Sequence, residues 1–266
     1  MTITQETSAP LVAIVGATGN QAWAQVLAKL GVDIVVVSFV VENKDEVYKA
    51  FVGADFVFLV TNFWEHLNVE KETEEGKLLV DAAKAGGVSR MGKAVFTEYG
   101  CQSGVPFVDV QAGWYSTNFL NVPGMFMKQE DGSFVISWPV EPTTLVPFID
   151  VHDYGLFVRY VLELPVFPDS SELVVHGENI TITDLASQLS QGTGKNIVFK
   201  QITVDQYKQG LEAAGVPPHI ILNMADSNQA WDEYGWKATT SYEGLARRLH
   251  IWAEFVKVTD WSQVLA

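Results

Sequence analysis

The chain has 266 residues, of which 48% are apolar and 18% charged, and its formal net charge is −15. This composition predicts a well-filled core rather than disorder. The acidic balance argues against nucleic acid and anionic membrane surfaces as partners, because both attract basic proteins. No apolar run approaches the roughly 20 residues of a membrane span, and residues 1–9 lack a signal-peptide pattern, so we expect a cytoplasmic protein. One cysteine and five scattered histidines predict neither a disulfide nor a metal site.

The first half of the chain alternates short apolar runs with helical patterns. Predicted strands cover residues 11–15, 32–41, 54–60 and 105–110, and predicted helices cover residues 22–30, 43–51, 68–85 and 93–101. The run 32–41 is almost wholly apolar and β-branched, which favours a central strand of a parallel sheet. Such alternation is typical of a doubly wound α/β core.

The second half is more irregular. After a predicted loop over 113–127, strands are expected at 134–138, 145–149, 173–176 and 197–202, and helices at 150–164, 183–191, 204–214 and from Pro217 onward. The pairs Thr181-x-x-Asp184 and Thr203-x-x-Gln206 indicate helix starts. We therefore predict a Rossmann-like, mostly parallel sheet with a reduced number of strands over 1–122, and a smaller C-terminal α+β lobe over 123–266. Part of 134–176 is expected to return to the core sheet.

A glycine-rich turn lies between the first predicted strand and helix. In Gly16-Ala17-Thr18-Gly19-Asn20, the glycines allow close approach of a pyrophosphate, and the following helix N-terminus faces its charge. Gly16, Thr18, Gly19 and Asn20 are thus candidate cofactor-binding residues. The alternative is a tight turn that only packs the helix on the sheet.

The group that should read the adenosine ribose is missing from the sequence pattern. An acid for NAD or a basic residue for NADP belongs at the end of the second strand. The stretch 37–41 is Val-Ser-Phe-Val-Val, and no arginine or lysine lies between Lys29 and Lys44. We therefore expect no cofactor, or NADP(H) if the dinucleotide site is retained.

Four strings carry a family resemblance. They are Gly16-Ala-Thr-Gly-Asn20, Phe58-Leu-Val-Thr-Asn-Phe-Trp-Glu65, Gly113-Trp-Tyr-Ser-Thr-Asn-Phe119 and Phe148-Ile-Asp-Val-His-Asp153. Together they resemble the NmrA-like family, atypical relatives of the short-chain dehydrogenases that are common in fungi. The resemblance implies a Rossmann core, NAD(P) binding and a C-terminal substrate lobe. It also implies one of three roles: redox-sensing regulator, reductase or biosynthetic tailoring enzyme.

The chain departs from the family pattern near the cofactor. On comparison with the family, a strand and a helix are missing between the first helix and the segment 31–51. Only residues 88–91 stand where the family has a further strand and loop, and Gln111-Ala112 replaces the usual Arg-Pro. These departures predict a retained fold that has lost its redox function.

Two charged residues are candidate catalytic groups. Alternation along the strand puts Phe107, Asp109 and Gln111 on one face, and Asp109 stands where the family has an apolar residue. A carboxylate there can act as general acid or base; alternatively, the face is wet and Asp109 is merely solvated. Lys93 matches the family's active-site lysine, which in reductases polarises or protonates a carbonyl; alternatively, it is a surface lysine on a helix.

The remaining candidates follow strands at the carboxyl edge, where open α/β sheets bind ligands. Tyr115 and Asn118 are candidate catalytic hydrogen-bonding groups, although the loop that holds them can equally anchor the C-terminal lobe. Candidate substrate-binding residues, a wall for a hydrophobic molecule, are Thr61, Asn62, Phe63, Trp64, Gln111 and Trp114.

Three functions remain open on the sequence. The favoured one is a cofactor-independent isomerase, cyclase or dehydratase of fungal secondary metabolism that acts on a hydrophobic natural-product intermediate. A homodimer is one possible oligomeric state. The first alternative is an NADP(H)-dependent reductase of the isoflavone-reductase type. The second is a non-enzymatic NAD(P)-sensing regulator.

Overall fold

A computed structural model describes residues 10–16, 29, 31, 33–61, 63–93, 97–122, 124–236 and 243–266. The chain divides into two compact units. The first comprises Met1–Gln111 and Val158–Leu173, and the second comprises Ala112–Phe157 and Val174–Ala266. Among the described residues, no helix is long and apolar enough to cross a membrane.

The first unit is built on a five-stranded sheet. Its strands are β1 (Val12–Ile14), β2 (Phe56–Leu59), β3 (Arg90–Lys93), β4 (Phe107–Ala112) and β9 (Ser171–Val175). They lie in the order β1-β2-β3-β4-β9, and β1 to β4 pair in parallel. The predicted α/β fold with a mostly parallel sheet is confirmed.

Helices connect these strands. The described ones are a 3-10 turn (Val41–Asn43), α1 (Lys44–Ala50), α2 (Phe63–His66), α3 (Val69–Ala85) and α4 (Thr97–Gln102). Helix α3 forms where predicted: the Asn68 side chain caps it by accepting a hydrogen bond from the Lys71 N–H at 2.8 Å. Its apolar face, including Leu79 and Ala83, is fully buried in the core of the unit.

Two predictions in this unit are wrong. Residues 33–39 form no strand, and Val36 is 92% exposed, although Val37 and Phe39 pack against the core. Among the described residues, β1 pairs only with β2, and residues 33–39 pair with no strand. A high strand propensity is not sufficient to form a strand without a partner to pair with. The predicted helix 93–101 begins only at Thr97.

The segment before that helix supplies a strand. Arg90–Lys93 lies between β2 and β4 and pairs with both. The sequence Arg-Met-Gly-Lys has no apolar pattern of a strand, so its neighbours rather than its own residues place it in the sheet. The strand that the family comparison suggested was missing after Gly87 is therefore present as β3. The predicted helix over 22–30 falls mostly outside the described residues.

The second unit holds two small sheets. Its strands are β5 (Trp114–Tyr115), β6 (Met127–Lys128), β7 (Phe134–Trp138), β8 (Leu145–Ile149), β10 (Glu178–Thr181) and β11 (Ile197–Gln201). One sheet has the order β10-β8-β5 and the other β11-β7-β6. The predicted loop over 113–127 thus contains strand β5, and it also contains the short helix α5 (Asn118–Asn121).

The helices of the second unit follow the capping signals. They are α6 (Val151–Glu163, which begins in this unit), α7 (Ile182–Thr193), α8 (Val204–Ala213), α9 (Pro218–Tyr234) and α10 (Trp252–Val258). The Thr203 and Gln206 side chains form the predicted reciprocal capping box, and Thr181 accepts from the Asp184 N–H at 3.0 Å. Trp138, Phe148 and Trp252 lie in the buried core between these helices and sheets.

Candidate functional site

Gly16 occupies the turn at the carboxyl end of β1. Its φ is +73°, a left-handed conformation that side chains rarely adopt. A Cβ atom there would lie 3.6 Å from the Val60 Cβ, which is an ordinary contact, so the backbone conformation and not the space requires glycine. The other predicted cofactor-binding residues, Thr18, Gly19 and Asn20, lie outside the described residues.

Some of the predicted substrate-binding residues that follow β2 make contacts within the first unit. The Thr61 hydroxyl donates a hydrogen bond to Glu72 of α3 at 2.7 Å, which ties the end of β2 to that helix. Phe63 and Trp64 lie in α2, where the Phe63 ring centroid is 6.2 Å from that of His66. Asn62 lies outside the described residues.

Asp109 lies on β4 and is 2% exposed. Its Oδ2 accepts a hydrogen bond from the Gln111 side-chain amide at 3.1 Å, so both side chains lie on one face, as the alternation predicted. The alternative interpretation of Asp109 as a solvated residue is wrong, because the residue is almost fully withdrawn from water.

Lys93 is the last residue of β3, and its Cα pairs in register with that of Asp109. The expectation that Lys93 lies on a helix is therefore wrong: it ends a strand at the carboxyl edge of the sheet. The Lys93 side chain is outside the described part. Within the first unit, the structure brings Lys93, Asp109 and Gln111 onto neighbouring strands.

The second unit positions the Gly-Trp-Tyr string. A Cβ on Gly113 would lie 2.2 Å from the Pro147 carbonyl oxygen, so only glycine lets the chain approach β8 this closely. Tyr115 then packs its ring against that of Tyr154, with centroids 5.9 Å apart. Burial raises the pKa of Tyr115 to about 12. Asn118 is the first residue of α5 and is partly buried.

Trp114 belongs to a group of three tryptophans, here called the tryptophan triad: Trp114, Trp138 and Trp231. Their ring centroids are 4.9 Å (Trp114–Trp138), 5.6 Å (Trp114–Trp231) and 5.9 Å (Trp138–Trp231) apart, all edge to face. Trp138 is 2% exposed, whereas Trp114 and Trp231 are partly exposed. Edge-to-face packing is a favourable arrangement of aromatic rings.

Tyr207 lies beside the triad. Its hydroxyl is hydrogen-bonded to the side chains of Trp138 and Asn228; burial raises its pKa, and these two bonds oppose that shift. Sequence reasoning missed Trp138, Trp231, Tyr207 and Asn228. The only signal was the abundance of tryptophan, eight in the chain, which does not say which of them meet.

A second cluster that the sequence did not predict surrounds Asp153, which is fully buried. Its carboxylate accepts hydrogen bonds from Arg247 at 2.6 Å, from the His250 ring at 2.8 Å and from the His250 backbone N–H at 2.6 Å. These contacts fasten the segment before α10 to the start of α6. Among the described residues, no three histidine, cysteine or acidic side chains are grouped to hold a metal ion.

Comparison with known proteins identifies a family. The model of the NmrA-like family matches residues 5–105 and 92–261. An NmrA-like family domain-containing protein of Dictyostelium discoideum is 24% identical over 267 residues, which cover 89% of this chain and 85% of that protein.

Solved structures share the fold. The NADPH-dependent quinone oxidoreductase of Escherichia coli, complexed with NADPH, has a TM-score of 0.71 at 19% identity, covering 92% of this chain and 98% of that one. The triphenylmethane reductase of Citrobacter sp. has a TM-score of 0.69 at 19% identity, covering 93% and 98%. The negative transcriptional regulator NmrA, in complex with NAD, has a TM-score of 0.67 at 17% identity, covering 92% and 86%.

Proposed function

Because the chain belongs to the NmrA-like family, we propose that it is an NAD(P)H-dependent reductase of a hydrophobic organic substrate. The observation that carries the proposal is Gly16, a left-handed glycine placed directly after the first strand of a parallel sheet. Dinucleotide phosphates bind at this position in folds of this kind. The names of two relatives, an NADPH-dependent oxidoreductase and a reductase, support this reading over the cofactor-free isomerase or cyclase that the sequence favoured.

The residues present fit a dinucleotide at its pyrophosphate end. The left-handed turn at Gly16 ends β1 without a side chain, which leaves the backbone accessible to phosphate oxygens. When bound, the dinucleotide supplies a hydride. The stretch 34–41 carries no charged residue to recognise either a ribose hydroxyl or a 2′-phosphate. We therefore expect NADH and NADPH to bind with similar affinities.

Reduction of a carbonyl also requires a proton. The raised pKa of Tyr115, about 12, makes its hydroxyl a poor proton donor near neutral pH. Lys93, at the carboxyl end of β3, is the better candidate, in agreement with the role that the family resemblance implies. Asp109, which is buried, and its hydrogen-bond partner Gln111 lie on the adjacent strand, and Asp109 pairs in register with Lys93.

The test compares two glycines with the same backbone requirement. Gly16 and Gly53 have φ of +73° and +84°, so alanine at either position costs about 1–2 kcal/mol of folding free energy. Gly53 has no atom within 4 Å of its would-be Cβ and lies in the turn before β2, away from the carboxyl edge. Gly53→Ala is therefore a matched control for Gly16→Ala.

The measurement is the melting temperature with and without 1 mM NADPH. A dissociation constant of about 10 μM would stabilise the protein by roughly 2.7 kcal/mol, a rise of about 5–10 °C. We expect this rise in wild type and Gly53→Ala, and less than half of it in Gly16→Ala. Equal rises in both variants would show that Gly16 does not hold the dinucleotide.

A dinucleotide-sensing regulator is the second candidate. It is favoured by the connection from β3 to α4, where only residues 94–96 stand between strand and helix and leave little chain for a catalytic loop. The regulator NmrA, whose structure contains NAD, shares the fold. The loss of NADPH absorbance at 340 nm in the presence of aromatic carbonyl compounds distinguishes the reductase from the sensor, because a sensor binds the dinucleotide without consuming it.

A further inference from the structure

Asp109 is an acidic residue in the interior of the first unit. It is 2% exposed, and its neighbours along β4, Val108 and Val110, are fully buried. Withdrawal of a carboxylate from water is costly unless a cation and hydrogen-bond donors compensate for the lost hydration. A positively charged neighbour is therefore expected close to Asp109.

The two strands beside β4 limit which cations can serve. In the sheet, β4 lies between β3 and β9. Strand β9 has the sequence Ser-Glu-Leu-Val-Val and contains no lysine or arginine. Strand β3 contains two cations, Arg90 at its start and Lys93 at its end.

Arg90 is engaged at the opposite end of β3. Its guanidinium donates hydrogen bonds to the carbonyl oxygens of Leu162 and Leu164 at 2.6 and 2.8 Å. Three residues of a strand span about 10 Å, so Arg90 lies far from the position that is paired with Asp109. It fastens β3 to the end of α6.

Lys93 is the cation whose backbone lies next to Asp109. The two Cα atoms pair in register, and residues paired in this way on neighbouring strands, about 4.8 Å apart, share a face of the sheet. Gln111 lies on the same face, and its amide donates to Asp109 Oδ2 at 3.1 Å, which orients the carboxylate. A lysine ammonium on its four-carbon stem spans such a separation.

We propose that Asp109 is a positioning residue, whose carboxylate pairs with the Lys93 ammonium and holds it at the carboxyl edge of the sheet. The pairing is a property of the chain without any ligand. Its value for catalysis rests on the proposed function, in which Lys93 donates a proton to the carbonyl oxygen of the substrate. A carboxylate beside a lysine favours the charged, proton-carrying form of the amine.

The test is a double-mutant cycle on the full chain without dinucleotide. The melting temperature is measured for wild type, Asp109→Asn, Lys93→Met and the double variant. Each single substitution leaves the partner without its counter-group, so each should lower the melting temperature by about 5–15 °C. The double variant removes both groups and should lose no more than the worse single variant.

Lys44→Met provides the control pair with Asp109→Asn. Lys44 lies on α1, where its Nζ is 5.2 Å from the ring centroid of Tyr48. The losses of these two substitutions should add to within about 2 °C. Losses of Asp109→Asn and Lys93→Met that add equally well would overturn the proposal.

The double variant decides if Asp109→Asn does not fold by itself. A double variant that melts cooperatively supports the pairing, because Lys93→Met then removes the charge that Asp109→Asn left without its partner. A double variant that also fails to fold overturns it.

A kinetic measurement separates positioning from a purely structural role. With NADPH and a carbonyl compound that the wild type reduces, Asp109→Asn should lower kcat about tenfold or more and leave the KM for NADPH unchanged. Asp109→Glu keeps the charge and should recover part of kcat. An unchanged kcat in Asp109→Asn would overturn the positioning role. If the wild type reduces no carbonyl compound, the proposed function fails, whereas the melting temperatures still decide the pairing.

Discussion

Replacing Asp153 with asparagine should cost about 3 kcal/mol of the free energy of unfolding. The wild-type carboxylate is fully buried and accepts three hydrogen bonds from Arg247 and His250. Asparagine has nearly the same shape, but its NH₂ group would face one of these donors. A charged hydrogen bond is worth roughly 1.5–3 kcal/mol, and a donor buried against a donor adds a penalty of similar size. Arg247 and His250 are partly exposed, so water can form hydrogen bonds with their freed donors and reduce the loss of stability.

Asp150→Asn is the matched control. Asp150 is also buried at the start of α6, but it accepts only from His152, through the backbone N–H and the ring, both at 2.8 Å. Asparagine caps helices as well as aspartate does, so the expected cost is below about 1 kcal/mol. Both variants lose one negative charge at the same helix N-terminus, so this contribution cancels in their difference.

The assay is urea denaturation of the full chain at pH 7, followed by tryptophan fluorescence. The midpoint for Asp153→Asn should lie clearly below that for Asp150→Asn, by an amount equivalent to about 2 kcal/mol. If the two variants unfold within 0.5 kcal/mol of each other, about the scatter expected of a surface substitution, the cluster around Asp153 does not fasten α6 to the segment before α10.

Two further predictions concern pH. Hydrogen bonds from Arg248 lower the pKa of Glu254 from 4.5 to about 2, so the stability that this pair contributes is present above pH 4.5 and is lost as the pH falls toward 2. The difference in urea midpoint between wild type and Glu254→Gln should shrink over that range, and a constant difference would contradict the assignment. Burial raises the pKa of Tyr115 from 10 to about 12, so stability falls as the pH rises from 10 to 12. The melting temperature of Tyr115→Phe should fall less over this range than that of wild type, and parallel curves would be the contrary result.

The elements that the sequence predicts well are those with local signals. Helix α3 has an asparagine cap, an apolar stripe and a glycine stop, all within 20 residues, and the capping box at Thr203 marks the start of α8. The alternation that places Asp109 and Gln111 on one face is likewise a property of consecutive residues. Such features need no knowledge of distant partners.

The failures come from partners that are distant in sequence. Residues 33–39 have strong strand propensity but form no strand, and Arg90–Lys93 has a weak signal but lies between β2 and β4. In the second unit, Asp153 meets Arg247 across 94 residues of sequence. Trp114 meets Trp231 across an even longer stretch. No periodicity in a single sequence indicates that such residues meet.

The most direct test of the central claim is calorimetric titration of the purified wild-type chain with NADPH and, separately, NADH. We predict dissociation constants in the micromolar range, about −8 kcal/mol, for both dinucleotides, differing by less than about threefold. The similarity follows from the lack of a charged residue at positions 34–41 to read the ribose. If neither NADPH nor NADH binds at millimolar concentration, both the reductase and the dinucleotide sensor are contradicted.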